Sequence, residues 1–197
     1  MMNPDKDRIA REAARLIETG KSGSIDQAIR DAAEALGLNG EGRPGRVLVR
    51  RHAQAMAMQA LGREGYEQAV REVWRLAEEL MTALEQAFAD SHTRLVGRAA
   101  AGRIDAGVTL HVRMYTNADV TALAKSLVEY GYGEPAFETS DTRLGRVERL
   151  RFVEDGREIV VTRMPPHARE SAPMDLFTAR PIEAIELQQL RRKLSPA

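Results

Sequence analysis

The hydrophobic period of this chain changes once, near Thr93, and that change limits the folds open to it. Between residues 3 and 90 apolar side chains recur every three or four positions, as on one face of a helix. Beyond Thr93 the spacing shortens: Val108, Leu110 and Val112 alternate with Thr109, His111 and Arg113, the period of a strand with one buried face. Helices followed by strands, with few helices between them, define an α+β arrangement rather than a regularly alternating α/β one.

The helical part is well punctuated. Asn3-Pro4 fits an N-cap and first-turn pair for a helix striped by Ile9, Ala13, Leu16 and Ile17 and stopped at Gly20. Ser24 with Gln27 fits a capping box for a second helix carrying Ile25, Ala28, Ile29, Ala32, Ala33 and Leu36, which Gly37 closes. The loop LNGEGRPGR, residues 38–46, separates these from a third helix over Val47 to Leu61. A longer helix follows from Glu64 to Asp90. Its stripe of Tyr66, Val70, Val73, Trp74, Ala77, Leu80, Met81, Leu84 and Phe88 keeps to one face for about six turns. A helical N-terminal region over residues 1–62 and an α+β domain over 63–197 are therefore expected.

In the second part, Leu95-Val96 reads as a short strand. Asn117 reads as the cap of a helix through Val128 ending at Gly131, and Ala136 to Glu138 as a further short strand. Val147 to Glu154 and Arg157 to Met164 flank Asp155-Gly156, a strong hairpin signal. Residues 167–180 read as irregular, and Pro181 as the start of a last helix through Leu194.

Composition narrows the function. Lys plus Arg number 29 and Asp plus Glu 29. That balance disfavours nucleic acid as a partner, since a basic excess supplies most of the affinity for duplexes. Arg46, Arg50 and Arg51 form a small basic cluster that reads as a solvated helix face. With no cysteine, a disulfide framework and a thiolate metal site are both excluded, and a reducing, cytoplasmic setting is expected. The four histidines, His52, His92, His111 and His167, are too scattered for zinc-ligand spacing. No apolar run reaches the roughly 18 residues of a membrane span. The charged start MMNPDKDRIAREAARL lacks the apolar core of a secretion signal, so a cytoplasmic protein of bacterial type is expected.

The segment Leu95 to Tyr115, LVGRAAAGRIDAGVTLHVRMY, is the one that bears on chemistry. Gly97-Arg98, then Gly102, then an alternating strand resembles the nucleotidyltransferase superfamily of the DNA polymerase beta type. The resemblance covers residues 66–165 and includes the order of the surrounding helices and strands. The stretches RIAREAARLI and DQAIRDAAEALG also resemble the N-terminal helices of uncharacterised proteobacterial proteins that carry such a domain. The resemblance implies a glycine turn holding phosphates through backbone N–H groups. It also implies an Asp-x-Asp pair and a third carboxylate holding Mg²⁺ for in-line transfer.

The departures decide the expectation. Arg98 stands where the superfamily has serine. Thr109 and His111 stand where it has the aspartate pair, and a shorter turn would place that pair on Gly107 and Thr109. The strand REIVVTRM offers only Glu158 as the third carboxylate. The resemblance thus implies a catalytically inactive relative, a pseudoenzyme that binds a nucleotide, a small molecule or a protein partner. Gly97, Arg98, Gly102, Arg103 and Thr109 are its candidate nucleotide-binding residues. Two other readings stand beside it. One is an active Mg²⁺-dependent enzyme using Asp105, His111 and Glu158. The other is a structural or oligomerisation module, such as a homodimer built on the long helix.

Overall fold

The structure, a computed structural model, describes residues 3–40, 42–143, 145–170 and 173–195. The chain divides into two units, residues 1–69 with 104–107, and residues 70–103 with 108–197.

The first unit is helical. In α1, Pro4–Glu18, the Asn3 side chain accepts a hydrogen bond from the Asp5 amide, and Pro4 occupies the first turn. In α2, Ile25–Ala35, the Ser24 hydroxyl accepts from the Gln27 amide. Both caps satisfy amides that helix geometry leaves without a partner. Ile9, Ala10, Ala13 and Ala14 of α1 pack with Ala28, Ile29, Ala32 and Ala33 of α2 and with Val49 and Ala53 of the next helix. Six of these eight α1 and α2 residues are alanine, which lets the helix backbones approach closely, while Leu16, Ile17, Ile25 and Met56 fill the margins.

The next helix, α3, spans Arg46–Ala87 and is broken at Gly62, where φ is 67° and ψ 177°. That backbone conformation is open to glycine and closed to residues with a Cβ. The break separates the two helices expected from the sequence, and the second limb ends at Ala87, before Asp90.

The second unit is built on a six-stranded sheet in the order β3-β4-β5-β2-β1-β6. Its strands are β1 His92–Val96, β2 Leu110–Tyr115, β3 Ala136–Thr142, β4 Gly145–Glu154, β5 Arg157–Met164 and β6 Ala184–Glu186, with α4 Val120–Glu129 and α5 Leu187–Leu194 between and after them. Only β2 and β5 of these neighbours run parallel, joined in register from Leu110 opposite Ile159 to Tyr115 opposite Met164. The fold is α+β, with helices α1–α3 preceding a mixed sheet.

One face of the sheet is apolar. Leu95, Leu110, Val112, Met114, Leu150, Ile159 and Val161 are buried there. The second limb of α3 lies on this side: Glu85 accepts from both the amide and the hydroxyl of Thr93 at 2.7 Å. In turn α5 is tied to α3 through Arg191, which donates to Glu78 and to Thr82 at 2.8 Å each.

Three local expectations are corrected. The cap of α4 is Asp119, whose carboxylate accepts from the Ala122 amide, and not Asn117. Residues 184–186 form β6 against β1, with Ile185 opposite Leu95, so the last helix starts at Leu187 rather than at Pro181. The strand expected over residues 136–138 continues to Thr142 and forms a hairpin with β4.

Candidate functional site

The second face of the sheet is polar, and the pairing register shows which side chains share it. Thr109 precedes β2, and His111 lies two residues on, so both project to this face. The parallel register puts Val160 opposite His111, and Glu158, two residues earlier on β5, beside Thr109. The Thr109 hydroxyl donates to Glu158 Oε2 at 2.7 Å. The sheet therefore brings together three of the residues singled out in the sequence: Thr109, His111 and Glu158.

The Glu158 carboxylate is already engaged. Its Oε1 accepts from Arg151 of β4, a neighbouring strand. Arg151 also donates to both oxygens of Glu138 on β3, at 2.6 and 3.2 Å. Burial alone would raise the Glu158 carboxyl. The Thr109 hydroxyl, the Arg151 guanidinium and the positive field of His111 outweigh it and hold the group below the usual carboxylate value. Glu138 is held low chiefly by its bond to Arg151. Arg149, beside it, is 12% exposed and reaches Ser140 at 3.2 Å. The result is an acid–base lattice across three strands, in which each partly solvated carboxylate is paired with the Arg151 guanidinium. Among the described residues no three histidine or carboxylate side chains are grouped to hold a metal ion.

Asp105 belongs to the first unit. It is 5% exposed, and its Oδ1 accepts from the Gly107 amide at 3.1 Å, the geometry of a local turn. Ile104 beside it exchanges two hydrogen bonds with the Tyr66 hydroxyl, at 2.9 and 3.2 Å. The segment carrying Asp105 is thus fixed by packing against its own unit.

The glycine turn is stabilised from within. The Gly97 amide donates to the Glu183 carbonyl at 2.8 Å, and the amides of Ala101, Gly102 and Arg103 donate to the carbonyls of Gly97, Ala99 and Arg98. Four amides of the sort a phosphate cradle uses are therefore occupied by the chain itself. Gly102 has φ 66°, and a Cβ there would lie 3.5 Å from the Trp74 ring. Trp74 of α3 donates through its indole N–H to the Ala99 carbonyl at 2.8 Å, which pins the turn on the helix. Arg98 is half-buried, whereas Arg103 is exposed.

Next to this turn lies a pocket of about 540 Å³ lined by Trp74, Ala100, Ala101, Arg103, Glu183 and Lys193 among others. The Lys193 ammonium sits over the Trp74 ring, 5.2 Å from its centre. Two cations and one carboxylate around an indole can receive an anion with a flat apolar part. The sequence reading named Arg103 but missed Trp74, Glu183 and Lys193. The positions of the last two depend on β6 and α5, which fold back from nearly a hundred residues away.

The chain matches no protein-family model and no curated protein sequence. No helix among the described residues is long and apolar enough to cross a membrane.

Proposed function

We propose that the chain is a nucleotidyltransferase-like binding protein that has lost two-metal chemistry and retains a site for a nucleotide or similar small anion. The observation that carries this reading is the contact set around Glu158. Where the usual spacing of the superfamily puts its metal-binding aspartates, this chain has the Thr109 hydroxyl and the His111 imidazole, and the shorter-turn alternative, Gly107 and Thr109, offers no carboxylate either. The neighbouring carboxylate is taken up by that hydroxyl and by Arg151. A two-metal clamp needs several unpaired carboxylate oxygens pointing at one place, and an arginine-neutralised glutamate does not offer them. The pocket beside the glycine turn, with Arg103 and Lys193 on its wall, favours retention of anion binding.

The test is a combined turnover and binding experiment on the intact chain. ATP, GTP, CTP and UTP are each incubated with Mg²⁺ or Mn²⁺ and pyrophosphate is measured. None is expected above the rate without protein. In thermal-shift titrations at least one nucleotide should stabilise the chain without a metal requirement, and Arg103→Ala with Lys193→Ala should remove that shift. Metal-dependent pyrophosphate release abolished by Glu158→Gln would replace this reading with that of an enzyme.

A further inference from the structure

A second pocket, of about 620 Å³, lies in the same unit beyond the carboxyl ends of the parallel strands β2 and β5. It is remote in sequence register from Thr109 and Glu158, which stand at the opposite ends of those strands. Its volume falls in the range of small-molecule sites, roughly 300–1,000 Å³. The lining is of two kinds. Arg113, Arg146, Arg163 and His167 supply donors, with Glu148 as the acidic member. Tyr115, Val147, Met164 and Met174 supply apolar surface.

Two of the guanidinium groups are held in place. Arg113 is 5% exposed and donates through Nη2 to the Met174 carbonyl at 2.5 Å. Arg163 donates through Nε to the Ala118 carbonyl at 2.6 Å, and through Nη1 to Glu148 at 3.2 Å. Arg146 is exposed, and its guanidinium makes no hydrogen bond or ion pair among the described residues. The carboxylate of Glu148 offsets Arg163, and Asp175 lies within the field of Arg113. Arg146 stands opposite Asp141 in the β3–β4 register without an ion pair to it among the described residues, and lines the pocket together with His167.

Burying an arginine is costly unless its charge has a use or a partner. A fixed guanidinium needs no reordering when a ligand arrives, so its hydrogen bonds to an oxyanion are gained with little entropy loss. An apolar wall next to such donors selects for a body as well as a head group. From this pocket we infer a second ligand site, independent of the nucleotidyltransferase-like reading, which binds a small organic oxyanion: a carboxylate or phosphate monoester on an apolar or aromatic body.

Phenyl phosphate, benzoate, inorganic phosphate and benzyl alcohol serve as probes in amide-resolved NMR titrations of the full chain. Phenyl phosphate or benzoate should give saturable shifts at residues 113–116, 146–148 and 163–168, and their relative affinities assign the head group as phosphate or carboxylate. Benzyl alcohol, which lacks the charge, and inorganic phosphate, which lacks the body, should each bind more weakly. Arg146→Ala removes an exposed side chain that has no partner among the described residues, and should weaken binding about tenfold, as loss of one charge-assisted contact does. Arg157→Ala, at the other end of β5, removes the same net charge and should leave affinity unchanged. Three outcomes would overturn the inference: no saturable binding of either organic anion, equal weakening by both variants, or shifts centred on Thr109 and Glu158. Inorganic phosphate binding as tightly as phenyl phosphate would overturn the part played by the apolar wall. None of these results depends on whether nucleotides bind beside Gly97.

Discussion

Replacing Thr109 and His111 together by aspartate should make the chain less stable without metal and responsive to divalent cations with it. The Thr109 hydroxyl lies 2.7 Å from Glu158, so an aspartate at 109 would bring a second carboxylate to about 4 Å from the first. Two like charges at that distance repel by about 4 kcal/mol at an effective dielectric constant of 20. Glu158 is partly solvated and remains paired with Arg151, which reduces the net penalty to about 1–3 kcal/mol. For a chain of this size that corresponds to a fall in Tm of about 2–12 °C. A cation held by all three carboxylates would reverse it, since ligand at a hundred times its Kd stabilises by about 2.7 kcal/mol. The assay is differential scanning fluorimetry of the parent and the double variant against Mg²⁺ and Mn²⁺, with Ca²⁺ as a comparison. The reasoning fails if the variant shows no cation-dependent rise in Tm, or if the parent shows the same rise. Either result would mean that β2 and β5 do not hold these positions at metal-bridging distance.

Further outcomes follow from contacts that position the glycine turn and the charged face. Trp74→Phe keeps the ring but loses the bond to the Ala99 carbonyl, and should lower stability by about 1 kcal/mol in urea unfolding. Gly102→Ala should cost about 1–2 kcal/mol through its positive φ rather than through a clash, because the new Cβ would sit 3.5 Å from Trp74, an ordinary contact; a change below a few tenths would refute the assigned conformation. Glu138 and Glu158 both titrate below their ordinary value of 4.5 in the folded chain, so the stability they contribute is present above that value and is lost as pH falls through their folded pKa values. Glu138→Gln with Glu158→Gln should therefore flatten the acid side of a Tm-against-pH profile, and an unchanged acid limb would contradict the pairing with Arg151.

The parts of the fold that the sequence discloses are those with local causes. Asn3 and Ser24 mark helix starts through interactions within a few residues, and each caps one in the structure. The Asp155-Gly156 turn joins β4 and β5 with both residues at positive φ, 49° and 70°, as a two-residue hairpin requires. What stays hidden has distant causes. PIEAIEL carries helix-favouring residues and alternates too briefly to signal a strand, yet Ala184–Glu186 pairs with β1 because that edge offers unpaired backbone groups. Asn117 and Asp119 are equally good caps in isolation, and the Thr116 hydroxyl, accepting from the Ala118 amide, shifts the helix start to the second. At the site, the alternation of β2 discloses that Thr109 and His111 share a face. It cannot disclose Arg151, whose role arises from a register across three strands. Nor does alternation show that Arg113 is buried on the polar face with the Met174 carbonyl, from outside the strand pattern, accepting its hydrogen bond.

The pairing of β1 with β6 also sets a timetable for synthesis. Arg94 and its partner Glu186 are 92 residues apart, and the Gly97 amide waits for the Glu183 carbonyl over a similar span. At roughly 5–20 residues per second, the outer edge of β1 stays uncapped for about 5–18 s after it leaves the ribosome. In that interval β2 can pair on one side while the other side remains open to any extended segment nearby. A nascent chain stalled before residue 183 would keep that edge bare and recruit foreign strands, so ribosome-bound intermediates of this length should be the ones that chaperones hold longest.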